Sequence, residues 1–313
     1  MEIFDVAATA QALPFERLVP ALQSLFARGC EVPARHVHEV PVPGGAPFTS
    51  LIMPAWIPGR YYGIKTINIA PGNAQRGLPG LHASYLLCDG ASGRPLAVID
   101  GDAITQRRTA AASALAARWL ARTDAIHLLV AGAGQVARLL PQAYRAVLPI
   151  ERVSLWARDA RKAQALAAQL RTQGLAVQAV TDLAAACAQA DIVSCATLAT
   201  EPVVHGEWLR PGTHLDLIGS FTPAMREADD ACFAGASIWL DTEEALEKSG
   251  ELLGPMSRGV FAAHEVRGTL GRLSRGEAQG RTSAAERTVF KSVGTALEDL
   301  AAAMLVYEQG RTP

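Results

Sequence analysis

The run Leu128-Leu129-Val130-Ala131-Gly132-Ala133-Gly134-Gln135-Val136-Ala137 joins an apolar stretch to two glycines one residue apart, with an alanine three positions later. This GxGxxA spacing suits a dinucleotide pyrophosphate. Gly132 permits a tight turn, and Gly134 lets backbone N–H groups come close to phosphate oxygens. Gln135 and Val136 open a helix whose N-terminus favours an anion. A glycine pattern alone is weak and also fits a plain tight turn. Here a strand-like run precedes it and a βαβ unit follows, which is the context the chemistry requires.

The end of the next strand-like run decides which ribose is accepted. An acid there binds a 2′-hydroxyl, whereas an arginine suits a 2′-phosphate. The sequence is Trp156-Ala157-Arg158-Asp159, with Ala157 where the acid is expected and Arg158 following it. A guanidinium offers a phosphate two parallel bonds. NADPH is therefore the expected cofactor, with NADH the other choice. Asp159 could serve a hydroxyl instead, and Arg158 could be a solvated surface charge.

Other chemistries find less support. His36, His38, His82, His127, His205, His214 and His264 are scattered, with no HExxH and no accompanying carboxylate cluster, so no metal is expected. No GxSxG elbow is present. The cysteines, Cys30, Cys88, Cys187, Cys195 and Cys232, lack CxxC spacing and read as reduced, buried thiols of a cytoplasmic protein. The 313 residues are 50% apolar and 19% charged with a formal net charge of -1. That composition supports a sizeable core and gives no sign of a nucleic-acid or membrane partner. No basic start followed by an apolar run marks a leader, and no apolar run is long enough to span a bilayer.

The elements that must position these residues fall into two patterns. A helix is expected from about Leu13 to Arg28, then strands at Thr49–Met53, Tyr62–Ile69, Ala83–Cys88 and Leu96–Ile99, separated by Pro/Gly turns. In the second of these strands, Lys65 shares its face with Gly63 and Ile67. A charge there is either functional or an edge-strand device. Asp102 is the expected cap of a long helix from about Ile104 to Ala121. Strands and helices then alternate: Ile126–Ala131, a helix after Gly134, Arg152–Trp156, Ala160–Arg171, Ala176–Val180, Asp191–Ala196 and His214–Ile218. Continuous apolar strands in that alternation mean a parallel sheet covered on both faces. A last helix is expected from about Ser283 to Tyr307.

Stretches along nearly the whole chain resemble the ornithine cyclodeaminase/mu-crystallin family. They include Met53-Pro54-Ala55, Gly63-Ile64-Lys65-Thr66, Pro71-Gly72-Asn73, Thr105-Gln106-Arg107-Arg108-Thr109-Ala110-Ala111, Gly132-Ala133-Gly134-Gln135, Pro211-Gly212-Thr213-His214 and Lys291-Ser292-Val293-Gly294. The resemblance implies an α/β fold. A Rossmann dinucleotide-binding domain (121–289) would be inserted into an α+β substrate-binding and dimerisation domain (1–120 and 290–313), with a homodimer as the assembly. It also implies that Arg35, Lys65 and Arg108 hold the carboxylate of a small imino or amino acid, with Lys65 the catalytic residue that steadies it or relays a proton. His36, beside Arg35, would pack or orient. Thr109, Thr197, Ser220 and Val293 join the glycine turn and Arg158 as cofactor contacts.

The family divides by chemistry. Cyclodeaminases carry an aspartate in a Gly-Gly-Asp-Cys-Pro-Gly-type loop that acts on the substrate amine. Alignment on Gly219, Pro223 and Glu227 puts Phe221 at that place. Phenylalanine cannot take a proton, and Asp216 is the nearest acid before it. Reduction of a cyclic imine needs no such base. The expected activity is therefore NAD(P)H-dependent reduction of pyrroline-2-carboxylate, and of piperideine-2-carboxylate, to L-proline and L-pipecolate. The alternatives are ornithine cyclodeaminase, an alanine or N-alkyl amino-acid dehydrogenase, and a non-enzymatic binding protein.

Overall fold

The computed structural model describes residues 1–310, apart from the side chain of Ala74. The chain forms two units, one from Met1–Arg108 together with the segment from Thr295 on, the other Thr109–Gly294. Both divisions differ from those expected at 120/121 and 289/290, and the last three positions of the expected 290–313 segment lie outside the described residues.

In the first unit, β1 (Glu2–Phe4), α1 (Val6–Ala12) and α2 (Phe15–Arg28) precede β2 (His36–Val40), β3 (Phe48–Ile57), β4 (Tyr61–Ile69), β5 (Leu81–Asp89) and β6 (Pro95–Asp100). The strands make a six-stranded sheet in the order β1-β6-β5-β4-β3-β2. Asp5 starts α1 by accepting the Ala8 N–H at 2.8 Å. The helix expected from Leu13 to Arg28 is α2, which starts two residues later because Pro14 takes an extended conformation ahead of it, and α1 is an additional, unexpected helix. Alternation along β3, β4 and β5 buries Met53, Ala55, Ile57, Gly63, Lys65, Ile67, Tyr85 and Leu87. The row Met53–Lys65–Tyr85–Ile99 crosses four paired strands, so these side chains share one face.

The long helix α3 (Gly101–Leu120) follows. Its cap is Asp100, which accepts the Ala103 N–H at 2.7 Å, and not Asp102, which lies inside the first turn. Its first part belongs to the first unit and its remainder, from Thr109, to the second. There Ser113 donates to Asp216 at 3.1 Å, which is why the helix does not belong wholly to the first unit.

The second unit runs β7 (His127–Ala131), α4 (Leu140–Arg145), β8 (Arg152–Trp156), α5 (Ala160–Thr172), β9 (Val177–Ala179), α6 (Leu183–Gln189), β10 (Ile192–Cys195), β11 (His214–Leu217), β12 (Ser237–Leu240), α7 (Ala245–Lys248), α8 (Gly250–Ser257), β13 (Gly268–Thr269), α9 (Leu270–Ser274) and β14 (Thr288–Lys291). Its eight-stranded sheet has the order β13-β12-β14-β11-β10-β7-β8-β9, all parallel. Every residue of β7, β10, β11, β12 and β14 is buried, as expected for a sheet covered on both sides. The chain then rejoins the first unit as α10 (Ala296–Gln309), which packs on α2 and on β3, β4 and β5.

Two helices are shorter than expected. Regular helix after the glycine turn begins only at Leu140, with Pro141 in its first turn. Residues 135–139 form turns anchored by the Arg138 N–H donating to Gly134 O at 3.2 Å. The helix expected from Ser283 starts at Ala296, because 288–291 pairs between β11 and β12. Detaching that strand would leave the inner edges of both neighbours unbonded, which sets the second division of the chain after it. Among the described residues no helix is long and apolar enough to cross a membrane, and no group of His, Cys, Asp or Glu is placed to hold a metal ion.

Candidate functional site

The first unit contains a buried charge cluster. Lys65 on β4 points into the face covered by α10, where its Nζ lies 2.5 Å from Asp299 Oδ2 and donates to Thr105 Oγ1 at 3.4 Å. Arg108 on α3 donates from Nε to Asp299 Oδ1 at 2.9 Å and from Nη1 to Glu298 Oε2 at 2.7 Å. Lys65, Glu298 and Asp299 are 0% exposed and Arg108 is 7% exposed. Burying four charges is tolerable only because each is paired. Thr295 caps α10, and Glu298 and Asp299 stand in its first turn, where the helix dipole favours carboxylates.

The electrostatics follow from these contacts. Burial pushes the Lys65 ammonium down to about 8, against the pull of Asp299 and with the help of Arg108. Burial raises the Asp299 carboxyl, but Lys65 and Arg108 together outweigh that and hold it below the usual range. The phenol of Tyr85, next to Lys65 across the sheet, is buried over Gly63. A Cβ at Gly63 would collide with its ring. Arg35 is half-buried one residue before β2. The register His36–Ile52–Thr66 puts it level with Met53 and Lys65. Lys65 and Arg108 are thus brought together on one carboxylate, with Arg35 two strands over in the same row. His36, expected to pack or orient, is instead exposed on β2. A separate cavity of about 330 Å³, lined by residues including Val42, Phe48, Asn68, Asn73 and Arg76, contains none of the expected site residues.

In the second unit the expected cofactor residues converge at the carboxyl ends of neighbouring strands. Gly132, Gly134, Gln135 and Val136 follow β7, Arg158 follows β8, Thr197 follows β10, Ser220 follows β11 and Val293 follows β14. β7 has β8 on one side and β10 on the other, so strand order reverses there, and ligands of such sheets bind at this reversal. Gly132 has φ +136°, and a Cβ on it would lie 2.5 Å from Ala196 O, so β7 and β10 close to a distance only glycine allows. Nothing lies within 4 Å of a Cβ position on Gly134, so the turn is open on that side. The Gly132 N–H donates to Trp156 O at 2.8 Å and sets the turn against the end of β8. Arg158 is exposed just beyond, whereas Asp159 caps α5 through the Arg161 N–H at 3.1 Å and also holds the Arg161 guanidinium. The residues present therefore fit a nicotinamide dinucleotide. Thr109, on α3, is half-buried.

Thr197 and Ser220 do not present hydroxyls to such a ligand. Thr197 Oγ1 donates to Glu227 Oε1 at 2.8 Å, and Ser220 Oγ to Met225 O at 2.5 Å. Their contribution is a loop shape held from beneath by buried acids. Glu227 accepts the Gly219 N–H at 2.6 Å, Glu251 accepts the Glu227 N–H at 2.7 Å and Asp241 accepts the Val293 N–H at 2.8 Å. Phe221 is 44% exposed on the loop after β11. Asp216 cannot replace an aspartate at that position. It is 0% exposed and accepts from Ser113, from Tyr144 at 2.9 Å and from Ser194 at 2.5 Å.

Sequence reasoning missed Glu298 and Asp299. The available signal was two adjacent acids after a threonine cap in an otherwise apolar, alanine-rich helix.

The sequence profile of the ornithine cyclodeaminase/mu-crystallin family matches residues 48–312. A Delta(1)-pyrroline-2-carboxylate reductase of Paracoccus denitrificans is 49% identical over 254 residues, covering 80% of this chain and 80% of that protein. The solved structure of Thermococcus litoralis Delta(1)-pyrroline-2-carboxylate reductase in complex with NADH and L-proline matches with a TM-score of 0.92 at 31% identity, over 99% of this chain and 97% of that one. An archaeal alanine dehydrogenase dimer with bound NAD matches with a TM-score of 0.91 at 29% identity, over 99% and 96% of the two chains.

Proposed function

This chain belongs to the ornithine cyclodeaminase/mu-crystallin family, and we propose that it is a nicotinamide-dependent reductase of cyclic imino acids, converting pyrroline-2-carboxylate and piperideine-2-carboxylate to L-proline and L-pipecolate. The observation that carries this reading is the buried pairing of Lys65 and Arg108 on Asp299, combined with Phe221 where a cyclodeaminase carries its aspartate. A relative of that activity and a neighbour holding NADH and L-proline support it.

When bound, the dinucleotide supplies a hydride to the imine carbon. Arg108, with Arg35, holds the substrate carboxylate by charge-assisted hydrogen bonds. Lys65 steadies that carboxylate and supplies the proton that the imine nitrogen takes up. The backbone of the Gly132–Val136 turn holds the pyrophosphate, and the loops at Thr197, Ser220 and Val293 shape the remainder of the crevice. Arg158 favours NADPH over NADH, since Asp159 is already committed to its helix cap. The unpaired edge of β2, with Val32 and Val37 exposed, supports assembly as a homodimer through the first unit.

The test is oxidation of NADPH and NADH on addition of either cyclic imine, with ammonia measured in parallel from L-ornithine. We expect turnover of the imines and no ammonia. Ammonia release without imine turnover would reassign the chain as a cyclodeaminase. Turnover confined to pyruvate with ammonia or methylamine would make it an amino-acid dehydrogenase.

A further inference from the structure

The four-charge cluster contains more than the reductase reading uses. Asp299 gives one oxygen to each of two cations carried by different elements, Oδ2 to Lys65 on β4 and Oδ1 to Arg108 on α3. Glu298, its neighbour on α10, accepts from Arg108 Nη1. The two acids are therefore not equivalent. Asp299 touches the group that would donate a proton, whereas Glu298 acts on that group more weakly and bonds directly to the one that would grip a carboxylate.

We propose that Asp299 is a positioning residue for the reduction, its carboxylate keeping the Lys65 ammonium protonated and aimed while it fixes Arg108 beside it. This rests on the reading of the chain as an imine reductase. In the step concerned, the imine carbon gains a hydride from the reduced nicotinamide and the C=N π pair moves to nitrogen. An N–H bond forms there as an Nζ–H bond of Lys65 breaks. The cofactor is left oxidised and Lys65 is left as a neutral amine, which water reprotonates.

The groups facing Lys65 decide its charge. From α10 come Asp299 and Glu298, both of which favour the ammonium. From α3 come Arg108, which opposes it, the Thr105 hydroxyl, and Asp102, whose carboxyl burial raises against a lesser opposing pull from Lys65. From β5 comes the Tyr85 phenol, kept neutral by burial and by Asp299. β3 offers only Met53. With desolvation and Arg108 both favouring the amine, Asp299 is the contact at ion-pair distance that holds the proton on Lys65. The resulting balance, about 8, suits a donor working near neutral pH.

The experiment compares pH profiles of kcat/KM for pyrroline-2-carboxylate in the full-length wild type and in Asp299→Asn, Asp299→Glu, Glu298→Gln and Lys65→Arg variants. Binding of L-proline across the same pH range is measured by calorimetry with cofactor present. In Asp299→Asn the alkaline limb moves down by at least one pH unit and kcat falls at least tenfold, with cofactor affinity unchanged. Asp299→Glu restores the limb in part. Glu298→Gln raises KM and moves the limb less than Asp299→Asn does. Lys65→Arg, which cannot lose its proton in this range, loses imine turnover and, in L-proline binding, loses the limb, and this result stands even if Asp299→Asn fails to fold. A limb unmoved in folded Asp299→Asn, or retained in Lys65→Arg, overturns the proposal. A wild type that neither reduces a cyclic imine nor binds L-proline overturns the functional reading itself, and this inference with it.

Discussion

Glu227 takes two hydrogen bonds from Thr197 on a single carboxylate oxygen, the backbone N–H at 2.7 Å and the hydroxyl at 2.8 Å. Its other oxygen takes the Gly219 N–H at 2.6 Å. One buried acid thereby bolts the loop after β10 to the loop after β11, at the end of the sheet where the dinucleotide residues converge. Glu227→Ala leaves three donors without an acceptor and removes one of the acids that offset the Lys291 charge, and is expected to cost about 3–5 kcal/mol of stability. Cofactor affinity should weaken at least tenfold, with Glu227→Gln intermediate. Urea unfolding and cofactor fluorescence titration measure both. Unchanged affinity in folded Glu227→Ala would mean that the loops hold their shape without it.

Asp216 sets a pH dependence of stability. Burial raises its carboxyl to about 6, against the opposing pull of the Ser194, Tyr144 and Ser113 hydroxyls. The folded state therefore retains a proton that the unfolded chain releases near the ordinary aspartate value of 3.8. More protons bound when folded means that this group's contribution falls as pH climbs from about 4 to about 6, by about 3 kcal/mol in all. Asp216→Asn should lose that slope and be no less stable than the wild type at pH 7. Denaturation midpoints at pH 4, 5, 6 and 7 test this, and parallel curves for the two proteins would refute it.

Arg158→Ala should reduce the preference for NADPH over NADH by about ten- to a hundredfold, the worth of a charge-assisted bidentate contact. The ratio of kcat/KM for the two cofactors is the readout. Loss of both cofactors in equal measure would assign Arg158 to the scaffold.

Gly132→Ala places a methyl group 2.5 Å from Ala196 O on a backbone at φ +136°. Both the left-handed conformation and the collision oppose it, so β7 and β10 must separate at the turn. Dinucleotide binding should be lost and the melting temperature lowered. A variant that titrates with cofactor like the wild type would show that the turn can relax.

Arg108→Lys keeps the charge but not the fork that reaches Glu298 and Asp299 together. KM for the imine should rise at least tenfold while cofactor affinity stays the same. Steady-state kinetics on both substrates separate these effects, and equal rises in both KM values would contradict the assignment of Arg108 to the carboxylate.

Where a feature depends on neighbours in the chain, the sequence determined it. The strand–turn of Leu128–Val136 was legible because glycine's conformational freedom and apolar burial are local properties, and α5 because its cap and apolar spacing lie within one segment. That Lys65 shares its face with Gly63 and Ile67 followed from simple alternation along β4. Tertiary structure alone decided what Lys65 meets there. Asp299 arrives from the far end of the chain, and although two adjacent acids stand out in its alanine-rich helix, nothing local names the cations they meet. Thr288–Lys291 read as the beginning of a helix because alanines and acids surround it, yet hydrogen bonding between β11 and β12 makes it a central strand. A strand or a buried ion pair owes its free energy to groups remote in sequence, so no window of local residues encodes it.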